Sequence, residues 1–287
     1  MKKTVAFTSM LLIVSAVLFG CGSQPADKAA PQPPQESKPA GGADVSEEMK
    51  SVTDSYRAYA LEQIDQFVQA TESFTDAVKN GDLEKAQALY APTRMFYERI
   101  EPIAEALGDL DPDIDAREND VPDEEWRGFH RIEKGLWIDK TTKGYETYAD
   151  QLINDAKLLR GKVETVEVTP QMLVTGAVEL LNEVSSSKVT GEEERYSHTD
   201  LYDFAANVEG AEKIYELLKP AIEKKDSGLS QEIEKRFAEV DKLLASCKKG
   251  EGYVLYTELG EEQIKKLSQA IDNLAEPLSN MGIVLEG

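Results

Sequence analysis

The feature that most constrains the fold is a helical repeat of apolar residues, which continues through nearly all of the chain after Val45. Apolar side chains recur every three or four positions, and the breaks between segments fall at glycines, prolines and acidic clusters. We distinguish eight such segments, and none alternates as a half-buried strand would. Helices joined by mostly short loops pack as bundles. The sequence therefore predicts an all-α fold, with two four-helix bundles forming one elongated domain.

The ends of several predicted helices are marked by their capping residues. Thr169 before Pro170 is an N-cap followed by a proline at the first helical position, so the fifth helix begins there. Gly81 and Gly250 end the first and seventh helices, and Pro92 predicts a kink in the second. The predicted helices span about 46–80, 82–107, 123–137, 142–163, 170–186, 197–219, 229–249 and 257–280.

The N-terminal residues have the pattern of a lipoprotein signal. Lys2 and Lys3 precede an apolar stretch, residues 5–19, that is too short to span a membrane comfortably. The stretch ends in Gly20-Cys21, and lipoprotein processing requires a small residue directly before the acylated cysteine. We expect residues 1–20 to be removed and Cys21 to carry the lipid. An ordinary signal peptide with an incidental cysteine is the alternative.

The composition of the next segment predicts a tether between the lipid and a folded domain. Residues 21–44 are rich in proline and small polar residues, which bury too little apolar surface to offset their chain entropy. We therefore expect a lipid-anchored disordered tether over 21–44 and a helical domain over 45–287. Cys247 is the only thiol after Cys21, so we expect no internal disulfide in the mature chain.

The formal net charge of -22 limits the partners that the chain can bind. An acidic surface repels the phosphates of nucleic acid, so nucleic acid is excluded as a partner. The same charge disfavours broad contact with an anionic membrane surface, so we expect membrane contact through the lipid only. Cationic ligands suit such a protein.

The third predicted helix carries the main candidate for a metal site. Trp126, His130, Glu133 and Trp137 are spaced by four, three and four positions and are predicted to share one helix face. A buried glutamate needs a partner or a metal, and an imidazole and a carboxylate one turn apart can ligate one ion. The spacing alone favours a simpler interpretation, a buried His–Glu hydrogen bond that locks the helix. Neither the zinc-protease His-Glu-x-x-His nor a pair of di-iron Glu-x-x-His motifs is present.

Three other carboxylates are candidate ligands. Asp203 lies near the start of the sixth predicted helix, where a capped helix start explains it equally well. Glu98 and Glu101 lie in an acidic row on the second helix, and such rows are usually solvated. The acidic loop that follows has Ile114 where a calcium-binding EF-hand loop needs glycine, so it is not an EF-hand.

Three stretches together resemble the EfeO/EfeM family, the imelysin-like extracytoplasmic component of Efe iron-uptake systems. They are Tyr97-Glu98-Arg99-Ile100-Glu101-Pro102-Ile103, Gly128-Phe129-His130-Arg131-Ile132-Glu133 and Tyr196-Ser197-His198-Thr199-Asp200-Leu201. The resemblance implies a two-bundle helical fold and a Gly-x-His-x-x-Glu motif in which His130 and Glu133 bind the metal. Some family members carry an additional cupredoxin domain, and the predicted tether takes its place here.

The resemblance implies a non-enzymatic lipoprotein on the extracytoplasmic face of the cell membrane. It would capture iron, as Fe2+ or Fe3+, and deliver it to a membrane permease, with a haem-peroxidase component as a further partner. Other divalent cations are alternative ligands, but the chain has no Cys or Met cluster for copper(I). The expected ligands are His130, Glu133, Glu98, Glu101 and Asp203.

Two other functions remain open at this point. An imelysin-like metallopeptidase would use His130 and Glu133 with an activated water, but the sequence has no His-Glu-x-x-His motif. A metal-assisted polysaccharide-binding module would need exposed aromatic side chains along a groove. Tyr253 and Tyr256, near a loop, are its only support in the sequence.

Overall fold

The computed structural model describes residues 41–104, 108 and 110–286. The predicted signal peptide, Cys21 and most of the predicted tether lie outside the described residues. Within the described residues the chain forms ten α-helices, and the only sheet is a hairpin of two short strands, β1 (Lys248–Lys249) and β2 (Gly252–Tyr253). The predicted all-α class is confirmed.

Most of the helices follow one another along the chain with short connections. Thr169 caps its helix as predicted, because its hydroxyl accepts a hydrogen bond from the Met172 N–H at 3.2 Å. A π-helical turn (Gly135–Asp139) and two 3₁₀ turns (Lys188–Thr190 and Tyr256–Glu258) lie between them. The α-helices are α1 (Gly41–Lys79), α2 (Leu83–Glu98), α3 (Glu101–Ala104), α4 (Asp111–Asp115), α5 (Phe129–Lys134), α6 (Glu146–Thr165), α7 (Pro170–Ser186), α8 (Asp200–Lys225), α9 (Ser227–Ser246) and α10 (Glu261–Glu286). The longer connections are those from α4 to α5, from α7 to α8 and from α9 to α10.

The helices pack in two groups that share one continuous core. In the first group α1 packs along α2 and α6, while α5 contacts α6 and the π-helical turn contacts α2. In the second group α7, α8, α9 and α10 pack against one another. Helix α8 also contacts α1 and α2, so it joins the two groups. Phe67, Phe74, Tyr90 and Phe129 form a buried aromatic cluster beside the segment that carries His130.

The second predicted helix is divided into α2 and α3, which the sequence pattern did not predict. Pro102 has no N–H, so it cannot donate to the carbonyl of Glu98 one turn earlier. That carbonyl instead accepts a hydrogen bond from Asn207 Nδ2 of α8 at 3.0 Å. The break therefore follows from Pro102, whereas Pro92 lies inside α2. With the helix broken between α2 and α3, the side chains of Glu98 and Glu101 bind the same buried partners, Lys188 and Asn207.

The third predicted helix begins at Phe129 and not at Asp123. Gly128 has φ +88° and ψ −162°, a conformation that is open almost only to glycine, and it ends the turn before α5. A Cβ at this position would lie 2.3 Å from the carbonyl oxygen of Ile114, so the glycine also lets α4 and α5 approach closely. Trp126 therefore precedes the helix, and the prediction that it shares a helix face with His130 was wrong.

We expect Gly128→Ala to lower the free energy of unfolding by at least about 2 kcal/mol, because it adds backbone strain and a steric clash. Urea unfolding measures the change. The matched control is Gly161→Ala in the C-terminal half of α6, where a Cβ would meet nothing within 4 Å. That substitution should raise stability by roughly 0.5–1 kcal/mol through helix propensity. Equal effects of the two substitutions would contradict the role given to Gly128.

Candidate metal centre

His130 lies at the centre of a buried polar cluster, with an exposed fraction of 1%. Its Nδ1 is 3.3 Å from Glu133 Oε2 and 3.4 Å from the Tyr90 hydroxyl. Its Nε2 is 3.6 Å from Asp115 Oδ1 and 3.8 Å from Glu193 Oε1, beyond hydrogen-bonding distance. Among the described residues, Nε2 has no hydrogen-bond partner.

The surroundings of the two ring nitrogens indicate which of them carries the proton when the His130 imidazole is neutral. Nδ1 is within hydrogen-bonding distance of the Glu133 carboxylate, which only accepts when ionised, so Nδ1 carries the proton and donates. Nε2 then presents its lone pair to Asp115 and Glu193. A histidine held through one nitrogen by a carboxylate, with the other nitrogen free, has the arrangement found in metal-ligating histidines.

Glu133 is held in place by backbone donors as well as by His130. Its Oε1 accepts hydrogen bonds from the N–H groups of Tyr196 at 3.1 Å and Ser197 at 2.7 Å. Burial on its own would raise the pKa of Glu133, but the hydrogen bonds from His130 and the Ser197 N–H outweigh it and lower the pKa. Glu133 is therefore an ionised carboxylate that fixes both the imidazole and the turn before α8.

Two groups of side chains around His130 are close enough to hold a metal ion. Asp115, His130 and Glu193 form one group, and His130, Glu133 and Glu194 form the other. In each group the three ligand atoms lie within 4.8 Å of one another. The first group faces Nε2 of His130 and the second faces Nδ1. Only the first group therefore presents an unused nitrogen lone pair.

Arg94 of α2 is the main cation of the cluster, and its side chain is fully buried. Its guanidinium contacts carboxylates from four different parts of the chain. They are Glu98 (2.6 Å), Glu193 (3.5 Å), Glu194 (2.5 Å), Asp203 (3.3 Å) and Asp115. Arg94 thus connects α2, the end of α4, the turn before α8 and α8 itself.

Lys188 is the second buried cation. Its Nζ lies 3.0 Å from Glu98 Oε2 and 3.0 Å from Glu101 Oε2. Asn207 Nδ2 donates to the same two oxygens, at 3.0 and 2.8 Å. Lys188 and Arg94 outweigh the effect of burial and lower the pKa of Glu98 to about 2.

The cluster holds more carboxylates than cations, even though it is buried. Arg94 and Lys188 are its fully buried cations among the described residues. Burial raises the pKa of Asp115 to about 6 and the pKa of Asp203 well above its usual range, with Arg94 opposing both shifts. A further cation would stabilise the ionised forms. Besides the partly buried Asp115, the buried carboxylates of this cluster are Glu98, Glu101, Glu133, Glu193, Glu194, Asp200 and Asp203.

An acidic cleft of about 180 Å³ leads from the surface to one side of this cluster. Asp115 and Glu193 line the cleft and also belong to the group that faces Nε2 of His130. Arg117 lies at the cleft and binds Glu193 Oε2 at 2.9 Å. Carboxylate oxygens and an imidazole nitrogen are the donors that hard and borderline cations prefer. The donor set, the unused lone pair and the carboxylate excess therefore fit a metal ion.

The structure brings all five predicted ligands into this one cluster, but they have different contact partners. His130 and Glu133 are in contact, but Glu98 and Glu101 bind Lys188, and Asp203 binds Arg94. His198, whose carbonyl accepts a hydrogen bond from the Tyr256 N–H at 2.8 Å, belongs to neither candidate group. The cluster also contains residues that the sequence did not predict as ligands or partners of the site, namely Asp115, Glu193, Glu194, Arg94 and Lys188.

The signals for the missed residues were weak. Asp115 belonged to the acidic loop, and Glu193 and Glu194 to an acidic run before His198, and such runs are usually solvated. The aromatic support for polysaccharide binding is reduced, because Tyr256 is buried and its hydroxyl donates to the Val189 carbonyl. Among the described residues, no helix has the length and apolar character needed to cross a membrane.

Comparison with known proteins agrees with the resemblance of the three sequence stretches. The family model described as Imelysin matches residues 52–281. An "Efem/EfeO family lipoprotein" of Staphylococcus haemolyticus (strain JCSC1435) is 47% identical over 294 residues, covering 100% of both chains. Another of the same name, from Staphylococcus aureus (strain NCTC 8325 / PS 47), is 48% identical over 248 residues, covering 84% of this chain and 87% of the relative. The chain therefore belongs to the imelysin family and, with these relatives, to the EfeM/EfeO family.

Proposed function

We propose that this protein captures iron outside the cell and delivers it to the membrane permease of an Efe-type uptake system. The observation that carries the proposal is the buried cluster at the end of an acidic cleft, where carboxylates outnumber cations and His130 Nε2 has an unused lone pair. Family membership supports iron as the cargo, as Fe2+ or Fe3+, and other divalent cations would bind the same oxygen-rich donors.

The proposed ligands are Asp115, Glu193 and Nε2 of His130. Glu133, predicted from the sequence as a ligand, orients the imidazole in this proposal by accepting the proton of Nδ1. Glu98, Glu101 and Asp203 stay predicted ligands, and each would join only by exchanging a contact with Lys188 or Arg94 for the metal. The ion pairs that would have to open are Glu98–Lys188, Glu98–Arg94, Glu101–Lys188 and Asp203–Arg94.

The geometry favours reversible binding over peptide hydrolysis. A metallopeptidase must bring a peptide carbonyl beside its metal, and small-molecule pockets alone usually have volumes of about 300–1,000 Å³. The cleft here has about 180 Å³, and His130 is buried behind it. A bare ion needs far less space than a peptide segment, so this volume supports binding of an ion. We therefore propose a binding protein without enzymatic activity.

We also propose that the protein is anchored outside the cell by a lipid on Cys21. The similar staphylococcal proteins are named as lipoproteins, and the apolar N-terminal stretch of this chain ends in Gly20-Cys21. An anchored carrier keeps its cargo near the membrane, where the permease and a haem-peroxidase component of the uptake system would be its partners.

We expect His130→Ala to weaken iron binding at least tenfold, about 1.4 kcal/mol, because it removes the nitrogen ligand. Isothermal titration and tryptophan fluorescence, performed without oxygen for Fe2+, measure the affinity. Both indoles are near the centre: Trp126 Nε1 binds the carbonyl of Ala116 at 2.7 Å, and Trp137 packs on Tyr90 with ring centroids 5.3 Å apart. Bound iron should therefore quench the fluorescence saturably.

The matched control is His198→Asn, which changes the only other histidine and suits its left-handed backbone at φ +59°. This variant should bind iron like the wild type. If His130 serves only as a structural hydrogen-bonding partner of Glu133, the wild type should have little affinity for iron. Removing His130 would then cost stability, roughly 3–5 kcal/mol, and binding would not change. That outcome would refute the metal centre.

A further inference from the structure

We propose that the ammonium group of Lys188 occupies the position of a second cation in this centre and limits it to one metal ion. This inference deepens the proposed function, on which it rests for the presence of a first ion next to His130. It concerns the number of ions that the cluster holds, and it follows from the surroundings of Lys188.

The Nζ atom of Lys188 is surrounded by oxygens as a metal ion would be. It lies 3.0 Å from Glu98 Oε2, and 3.1 and 3.0 Å from Oε1 and Oε2 of Glu101, so one carboxylate binds it with one oxygen and the other with two. The side chain is buried, with 1% exposed. A compact ammonium with several carboxylate partners therefore fills a site that would otherwise need another cation.

Asn207 supplies an independent sign that this position has ligand character. Its Nδ2 donates to Glu98 Oε2 and Glu101 Oε2 at 3.0 and 2.8 Å. The Oδ1 of the same amide is buried and has no hydrogen-bond partner among the described residues. Amide and carboxylate oxygens together are typical ligands of hard cations. The side chain that binds the same two carboxylates as Lys188 thus keeps one buried amide oxygen without a partner in the described part of the chain.

Glu193 connects the position of Lys188 to the proposed metal site. Its Oε1 lies 3.8 Å from Nε2 of His130 and 3.9 Å from Nζ of Lys188. In two-metal sites the ions lie roughly 3.5–4 Å apart and share bridging ligands. Here one carboxylate lies between the unused nitrogen lone pair and a fixed positive charge. A single ion next to His130 therefore meets an ammonium where a second ion would bind.

The test uses Lys188→Met, which keeps much of the side-chain volume and removes the charge. Mn2+ serves as the probe, with the bound ions counted by equilibrium dialysis. We expect the variant to bind one more Mn2+ per chain than the wild type. The melting temperature of the metal-free variant should fall by on the order of 10 °C, because Glu98 and Glu101 lose their partner, and Mn2+ should restore most of that loss.

Two controls identify the position of the additional ion. Lys213→Met removes a half-exposed lysine that pairs with Glu216, and it should leave the Mn2+ count unchanged. The triple variant Lys188→Met, Glu98→Gln, Glu101→Gln removes the proposed additional ligands together with the charge. It should melt higher than Lys188→Met in the absence of metal and should bind no additional ion.

The outcome separates this inference from the proposed function. A folded Lys188→Met variant with the same Mn2+ count as the wild type overturns the inference, even if the wild type binds one ion. A variant that does not fold with or without Mn2+ also overturns it, because a metal should replace the ammonium. If the wild type binds no ion and the variant binds one, the proposed function and the limit of one ion both fail, and only the occupation of a cation position by Lys188 is supported.

Discussion

Arg94→Met is expected to lower the free energy of unfolding by about 3–5 kcal/mol, because removing one partner of a buried ion pair leaves its partners uncompensated. The guanidinium is fully buried and contacts five carboxylates. Burial already raises the pKa of Asp203 well above its usual range, so this carboxyl can adapt by taking up a proton. In the Arg94→Met variant Glu98 loses one of its two cationic partners and keeps only Lys188, and its lowered pKa makes proton uptake harder.

Urea unfolding of the metal-free protein measures this effect. The matched control is Arg236→Met on α9, whose guanidinium pairs with Glu232 and Glu239 and is 27% exposed. Surface pairs of this kind contribute about 0–1 kcal/mol, so the control should be nearly neutral. Losses of similar size in the two variants would show that Arg94 does not organise the cluster.

The helical class was predictable because its signal is local. An apolar stripe with a helical period specifies which face of a segment is buried, and the Thr169 cap depends on residues three positions apart. The break between α2 and α3 depends on Asn207, whose side chain binds the Glu98 carbonyl across 109 positions of sequence. Pro102 was the local sign of that break. Whether Pro102 would break the helix could not be predicted without knowing which group would donate a hydrogen bond to the Glu98 carbonyl.

The start of α5 shows the same limit at the site. The spacing of His130 and Glu133 correctly placed them one turn apart on a helix. Trp126 fits the same spacing, but the backbone of Gly128 takes a glycine conformation there and ends the turn. Glycine was visible in the sequence, yet neither its positive φ angle nor the close approach of the Ile114 carbonyl from α4 was. Helical spacing alone cannot detect a contact between two backbones.

The charged residues of the centre were harder to predict than its histidine. Lys188, Arg94 and Glu193 look like solvated surface residues in the sequence, because a charged side chain is usually exposed. Only the fold brings them together, since Lys188 reaches Glu98 across 90 positions and Arg94 reaches Glu193 across 99. A buried charge is tolerated through its partners, and those partners lie on other elements. Long-range pairing of this kind leaves no periodic signal.

Cys21→Ala is expected to abolish lipid attachment and to leave the protein either unprocessed or released from the membrane. The sequence places this thiol directly after Gly20 at the end of the apolar stretch, and it lies outside the described residues. Each buried CH₂ group of an acyl chain contributes about 0.8 kcal/mol to membrane binding, so losing the chains removes many kcal/mol of anchoring. Metabolic labelling with a fatty acid and fractionation of the cells measure both effects.

The matched control is Cys247→Ala, because Cys247 is the only other cysteine of the chain and is buried beside Leu244 in the core. It should be labelled and retained like the wild type, since Cys247 is buried and lies far along the sequence from residues 1–20. Equal labelling of the Cys21→Ala variant would show that the lipid is attached elsewhere, and then residues 1–20 would act as an ordinary signal peptide. Unchanged iron affinity in purified Cys21→Ala protein is expected in either case, because the proposed ligands all lie in the helical domain. Anchoring and metal capture are therefore separable, and the two can fail independently.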